Sequence, residues 1–321
     1  METTSNPAFW RNKRVLVTGG AGFIGSHLVE FLSNGLGVDR SRIVVPRSRD
    51  CDLRQFANAR KIAEGCDIVF HLAAVTGGIA FSRSFPASQY RDSTLIDLNV
   101  VEAAREAGAQ KLVAIGNLFA YASDVPVPIQ EKDLFNGLPT DAHRGVGWMK
   151  RNLALLADLY HRQYKFPMVV VYSANAYGPG DSLDPKHAHV IPSTIMKCLR
   201  HEDFAVWGDG TPTRDFLYAE DVACGLTLAA EKLDAPSYVN LGSGSEVSVR
   251  ELVDLVADLA RFRGKISYDP TKGGGDARRC TSVTKATHDL DFRPLWDLRS
   301  GMELTVKWYS TELSKGAAPA P

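Results

Sequence analysis

The chain has 321 residues, 45% of them hydrophobic and 23% charged, a globular balance that excludes long disorder and fits one large α/β domain or two modest ones. Its 37 Lys and Arg equal its 37 Asp and Glu, so net charge gives no reason to expect nucleic acid or an anionic membrane as partner. No apolar run approaches the ~20 residues of a membrane span, Met1–Asn6 lacks the basic start and apolar stretch of a signal peptide, and the five scattered cysteines show neither CxxC nor zinc spacing, which predicts a cytoplasmic protein with reduced thiols.

In chain order, a β-branched run at 13–18 predicts a strand, and glycines at 19, 20, 22 and 25 follow it. A helical pattern comes next, with Leu28, Val29, Phe31 and Leu32 on one face and Asn34-Gly35 at its end. A second strand at 43–45 stops at Pro46, a helix covers 56–64, and a third strand covers 67–73. Helices near 94–107 and 147–163 precede strands at 111–115 and 168–172. Such alternation predicts a doubly wound parallel sheet of the Rossmann type, helices on both faces. The alternation weakens after Gly178-Pro179-Gly180, a strand at 238–241 rejoins the sheet, and a helix at 248–262 carries Leu252, Val253, Val256 and Leu259 on one face. We therefore expect a dinucleotide domain over 1–178, with 215–243 returning to it, and a smaller α/β substrate domain from 179–214 and 244–321.

Gly19-x-x-Gly22-x-x-Gly25 lies between strand and helix, where glycines let the backbone approach a pyrophosphate and the helix N-terminus offers free N–H groups. A lone triplet is weak evidence, but the strand before it, the helix after it and the repeated units all agree. At the end of the second strand an NAD site usually places an acid, whereas this chain has Pro46-Arg47-Ser48-Arg49-Asp50. Arg47 and Arg49 suit the 2′-phosphate of NADP, and Asp50 keeps NAD as the alternative.

These residues resemble the extended short-chain dehydrogenase/reductase family of NAD-dependent epimerases and dehydratases. Thr18-Gly-Gly-Ala-Gly-Phe-Ile-Gly25 matches its nucleotide signature and His71-Leu-Ala-Ala74 its third-strand motif. Asn175-Ala-Tyr-Gly-Pro179, His189-Val-Ile-Pro192 and Trp207–Phe216 match its GDP-sugar epimerase/reductase branch, and the likeness runs over roughly residues 13–310. The resemblance implies cofactor contacts from Gly19, Gly22, Phe23, Ile24, Asp52, Leu72, Ala73, Ala74 and Lys150. It also implies a GDP-sugar substrate held by Asn175, His189, Val190, Trp207, Arg214 and either Arg279 or Arg278, and a homodimer built on the helices near 94–107 and 147–163. Taken alone, Arg214 would be a surface ion-pair partner of Asp215 or Asp209.

The pattern breaks at the chemistry. Family members transfer hydride with Ser or Thr and a Tyr-x-x-x-Lys pair, the tyrosine moving a proton at the sugar oxygen. Here the segment is Val146-Gly-Trp-Met-Lys150, Asn117 stands at the serine position, and Phe119 stands where the branch has its epimerisation cysteine. No tyrosine lies between 122 and 157, so no shift of register restores the pair. Lys150 and His189 remain, with Asn117 as a hydrogen-bond donor that does not titrate. His143, Tyr121 and Tyr177 are the candidates, by proximity in sequence, to replace the tyrosine; Tyr121 and Tyr177 read as core tyrosines, and His143 as a loop residue that could swing in, although such a histidine is usually only solvated. Asp181, Asp184, His187 and His189 have the chemistry of a divalent-metal site, although such loops are usually only polar, and no metal is expected. Three functions follow: a nucleotide-sugar epimerase/reductase with a rearranged acid/base set, a non-redox GDP-sugar isomerase or pyranose–furanose mutase, or a silent sugar-nucleotide-binding protein.

Overall fold

The computed structural model describes residues 5–75, 77, 79–184, 189–272 and 276–316. Helix α1 (Pro7–Trp10) leads to strand β1 (Val15–Thr18), helix α2 (Phe23–Glu30) and a wider π-type turn that carries the helical path to Gly35. Then come β2 (Ile43–Val44), α3 (Phe56–Ala63), β3 (Ile68–His71), α4 (Ile79–Ser84) and α5 (Pro86–Glu106). Pro86 sits in the first turn of α5, where its missing N–H costs nothing, so the helix begins well before the expected residue 94. Strand β4 (Lys111–Asn117) runs two residues past the expected end, which makes Asn117 its last residue. Helix α6 (Arg144–Tyr164) ends at Lys165 in the left-handed region, and β5 (Met168–Ser173) is buried along its whole length.

The remaining chain gives β6 (Asn175–Tyr177), α7 (Val190–Leu199), β7 (Phe204–Trp207), β8 (Thr213–Arg214), β9 (Phe216–Tyr218), α8 (Ala219–Lys232) and β10 (Ser237–Leu241). It closes with β11 (Val247–Ser248), α9 (Val249–Leu259), β12 (Ile266–Asp269), β13 (Arg278–Arg279), α10 (Thr284–Leu290) and α11 (Leu298–Ser314). Helix α9 starts on a capping box: the Ser248 hydroxyl accepts from Glu251 N at 3.1 Å, and the Glu251 carboxylate accepts from Ser248 N at 2.8 Å.

The central sheet is parallel throughout, in the order β10-β5-β4-β3-β1-β2. From β1 the chain goes outward to β2 and then crosses back to β3 on the other side of β1. A crevice therefore opens beyond the carboxyl ends of β1 and β3, the place where open α/β sheets bind ligands. Smaller pairings lie outside this sheet, with β8 between β11 and β13, β7 beside β12, and β6 beside β9.

Buried apolar side chains form two clusters. One surrounds the central sheet, and the other joins Ile191, Ile195, Leu252, Val256, Met302 and Val306 with Phe216 and Tyr218. Ala286, Leu290 and Phe292 fall within the range expected for the substrate domain, yet they pack into the first cluster. Helix α10 packs against β10.

Candidate active site

The turn after β1 is built for close approach. Gly19 has φ +70°, and a Cβ there would lie 2.8 Å from Ala73 N. A Cβ on Gly25 would lie 2.1 Å from Gly19 O, so the first turn of α2 rests directly on the loop. Gly22 is the N-cap of α2 with no side-chain cap, which leaves the amides of Phe23 and Ile24 for an anion. Beside it, Leu72 N donates to Thr18 O at 3.1 Å, and Thr18 Oγ1 accepts from Leu72 N and Ala73 N at 3.2 and 3.3 Å. Ala74 continues the same half-buried stretch. Backbone and helix end together fit the pyrophosphate of a dinucleotide.

Beyond β2 the chain turns sharply, with Arg47 O accepting from Asp50 N and Cys51 N at 3.0 and 2.9 Å. Arg47 and Arg49 are exposed, and Arg49 Nε meets Asp50 at 3.1 Å. Asp52 is engaged by Arg54, whose Nε lies 2.9 Å from Oδ1, and this contact holds its carboxyl below the usual range. Arg54 in turn bridges to Asp92 on α5 at 3.1 Å.

Behind the turn lies a buried polar chain. Thr18 Oγ1 meets His71 Nδ1 at 2.7 Å, and His71 Nε2 meets Asp97 Oδ1 at 2.9 Å. Since Thr18 Oγ1 already accepts two amides, its proton goes to Nδ1, and Nε2 donates to Asp97. Asp97 Oδ2 is buried with no hydrogen-bond partner among the described residues. Lys150 is buried on α6 and donates Nζ–H to Ile115 O at 2.9 Å. Burial lowers its pKa, and the Asp97 carboxylate acts in the opposite sense.

At the corner between β4 and α6, Asn117 Oδ1 accepts from Phe119 N at 3.2 Å and closes the strand end. The Phe119 ring stacks on the His143 imidazole, centroids 3.8 Å apart and planes within 9°. A Cβ on Gly147 would lie 2.5 Å from Phe119 O, so the start of α6 is pressed against this segment. Val146 is half-buried one helical turn before Lys150, with no polar atom to offer. His143 is not a solvated loop residue as expected: it is half-buried at the N-cap of α6, and Thr140 Oγ1 lies 3.3 Å from its Nδ1. Burial lowers its pKa, Asp276 opposes that, and Arg279, Arg83 and Arg214 reinforce it. Tyr121 and Tyr177 are buried with hydroxyls on fixed acceptors, the first donating to Asn240 Oδ1 at 2.7 Å.

Two arginines on neighbouring strands face different tasks. Arg214 on β8 and Arg279 on β13 are register partners. Arg279 is 3% exposed. Its Nε pairs with Asp276 at 2.6 Å, Nη1 donates to Leu118 O at 2.7 Å, and Nη2 donates to Tyr121 O at 3.2 Å. Arg279, expected at the substrate, here clasps β13 to the segment after β4 with its guanidinium. Arg278 is exposed and paired with Glu246 at 2.9 Å. Arg214 is half-buried. Its Nη1 donates to Thr213 O and Asp276 O at 2.7 and 2.8 Å, while Nε and Nη2 take no partner among the described residues.

Neither Asp215 nor Asp209 pairs with Arg214. Asp215 is buried and accepts from Ser243 N at 2.9 Å and Thr281 N at 3.2 Å, and Asp209 accepts from Thr211 N at 2.9 Å. Trp207 ends β7 and is 76% exposed. Asn175 begins β6, its Nδ2 donating to Asp215 O at 3.1 Å. His189 is the exposed N-cap of α7, and Val190 follows it, also exposed. Burial raises the carboxyl of Asp181 and the nearby His189 lowers it, Asp184 is half-buried, and His187 lies outside the described residues. Among the described residues no group of three or more His, Cys, Asp or Glu is placed to hold a metal ion.

The model of the NAD dependent epimerase/dehydratase family matches residues 15–242. The chain belongs to that family. The probable GDP-L-fucose synthase 1 of Oryza sativa subsp. japonica is 30% identical over 319 residues, covering 96% of each chain. Among solved structures, the epimerase Mth375 of Methanothermobacter thermautotrophicus superposes with a TM-score of 0.85 at 27% identity over 94% of each chain. A GDP-L-fucose synthetase of Naegleria fowleri bound to NADP shares the fold, with a TM-score of 0.86 at 24% identity over 94% of each chain.

For this epimerase/dehydratase-family member, sequence reasoning missed the environment of His143 and the contacts of Arg279, and it passed over Asp97 and Arg83. An acid among Leu95, Ile96 and Leu98 was the available signal for Asp97. Nothing local marked the others, whose partners lie far away in sequence.

Proposed function

We propose that this chain is a GDP-hexose-modifying enzyme of the epimerase/reductase type that carries NADP at the Gly19–Gly25 turn and works with a non-standard acid/base set. The observation that carries this reading is Arg214, a half-buried guanidinium with Nε and Nη2 unpartnered among the described residues. A diphosphate needs such a fork, and the exposed indole of Trp207 offers a base a face to stack on. Asn175, His189 and Val190 would line the sugar. Gly19, Gly22, Phe23 and Ile24 would hold the pyrophosphate, Arg47 and Arg49 the 2′-phosphate, and Leu72, Ala73 and Ala74 would border the dinucleotide. When bound, that cofactor supplies a hydride acceptor and donor. Lys150 would fix the ribose end, and Asn117 would hydrogen-bond the sugar.

Val146 favours a second reading, a non-redox GDP-sugar isomerase or mutase, because valine moves no proton. One assay separates the two: turnover of a GDP-hexose panel followed by both NADPH absorbance and sugar analysis. Products with no change in NADPH absorbance support the second reading. A GDP-induced rise in melting temperature tests the pocket itself, and no shift at millimolar GDP removes the first reading.

The protein would act as a homodimer in a reducing compartment such as the cytoplasm. Leu95 and Leu98 on α5 and Leu155 and Leu159 on α6 are exposed on helices that pack against each other. A second copy would cover them. A monomer mass by light scattering at micromolar concentration would refute the dimer. Among the described residues no helix is long and apolar enough to cross a membrane.

A further inference from the structure

We infer that His143 is the proton-transfer residue of this site, standing in for the tyrosine that Val146 displaces. The inference rests on the nucleotide-sugar reading and adds a named group to it. Three observations support it. His143 lies one helical turn before Val146, at the mouth of the helix whose next turn carries Lys150. Its ring lies flat on Phe119, centroids 3.8 Å apart, two residues beyond Asn117, so stacking fixes its plane. Nδ1 meets the Thr140 hydroxyl at 3.3 Å, while Nε2 takes no partner among the described residues.

The charges around the ring suit the task. Burial favours the neutral imidazole most, Asp276 favours the charged one, and Arg279 on β13, Arg83 on α4 and Arg214 on β8 side with burial. On its own segment, Asp141 and Arg144 neutralise each other in an exposed pair. Neutral imidazole is a base ready to accept a proton. A diphosphate bound at Arg214 would cancel part of the surrounding positive charge and make that protonation easier. The substrate's own charge would therefore tune its catalyst.

The step balances. The O–H bond of a sugar alcohol breaks and its proton passes to His143 Nε2. The carbon's hydride leaves for an oxidised nicotinamide dinucleotide, and a C=O bond forms. In reverse, the imidazolium returns the proton to the carbonyl oxygen as hydride returns to carbon. The reverse direction alone serves a reductase, and the two in succession at one carbon serve an epimerase.

The chain and its His143→Gln variant are compared for GDP-hexose turnover with NADP and NAD, over about pH 5.5 to 9, alongside the GDP-induced melting shift. The expected result is an unchanged GDP shift with kcat lower by about 10²–10⁴-fold and KM changed by less than about threefold. The acidic limb of the wild-type kcat/KM profile should vanish. Adding Val146→Tyr to His143→Gln should restore turnover, which a purely structural loss would not allow. His143→Asn serves if the first variant melts early. Turnover within about threefold of wild type in both variants, with an unchanged pH profile, overturns the inference. A wild type that binds GDP but turns over no GDP-hexose also overturns it, while leaving the nucleotide-sugar reading in place. A wild type that shows no GDP shift removes that reading, and this inference with it.

Discussion

At the turn after β1, backbone sterics dictate the residues: Gly19 sits in the left-handed region against Ala73, and Gly25 admits no side chain. At the corner between β4 and α6, side-chain chemistry decides, and Asn117, Phe119 and Val146 stand where the family resemblance leads one to expect serine, cysteine and tyrosine. The two regions belong to one fold and obey different constraints. Cradling a phosphate needs a backbone shape that few sequences permit. A proton-transfer residue needs only the right atom at the right place, and several elements can supply one. The comparison teaches that binding and chemistry are separable in this architecture, so likeness at the first region does not fix the second.

The largest expected effect tests whether the arginine pair beside the corner is divided between structure and ligand. Arg279→Ala removes a buried ion pair and three carbonyl contacts and should cost about 3–5 kcal/mol of folding stability, seen in urea denaturation. A loss below about 1 kcal/mol would return Arg279 to the list of ligand residues. At the turn, Gly25→Ala should destabilise by about 1–3 kcal/mol and abolish dinucleotide binding, read by fluorescence titration.

Arg214→Ala should weaken GDP by about 1.5–3 kcal/mol in calorimetry while costing the free protein only about 1 kcal/mol for two carbonyl contacts. Equal GDP affinity would break the comparison between the two arginines. Arg47→Ala should lower the preference for NADP over NAD more than Arg49→Ala does, because Arg49 must first leave Asp50. Equal affinity of the wild type for both cofactors would remove the 2′-phosphate assignment.

The smallest effect is a slope. The folded-state pKa of His143 lies below its ordinary 6.5, so in the window just below 6.5 the unfolded chain binds the proton first. Stability contributed by this group is therefore lost as pH falls through that window. Wild type should lose more stability than His143→Gln between pH 7 and a pH below 6.5, and parallel curves would contradict the environment described for the ring.

Most of the parallel sheet was legible because buried strands read as β-branched runs, and β5, Met-Val-Val-Val-Tyr-Ser, is the clearest case. The start of α5 was hidden because Ser88, Gln89, Arg91, Asp92 and Ser93 carry no apolar period, even though Pro86 marks the first turn. Helix α7 was not read at all: Pro192 within its first turn looks like a breaker, yet it is tolerated where no intrahelical donor is needed. In the site, glycine spacing and the absence of a tyrosine were visible in one dimension. The fate of Arg279 was not, since its acceptors Leu118 and Tyr121 lie 161 and 158 residues away. His143 and Phe119 are likewise brought together only by packing.

The register of β8 and β13 has a mechanical consequence. One strand carries Arg214, and the strand beside it is bolted through Arg279 to the segment that follows β4. Leu118, which accepts from that guanidinium, directly precedes Phe119, whose ring stacks on His143. Arg279 is thus a tie rod between the strand pair that carries Arg214 and the corner that carries Phe119 and His143.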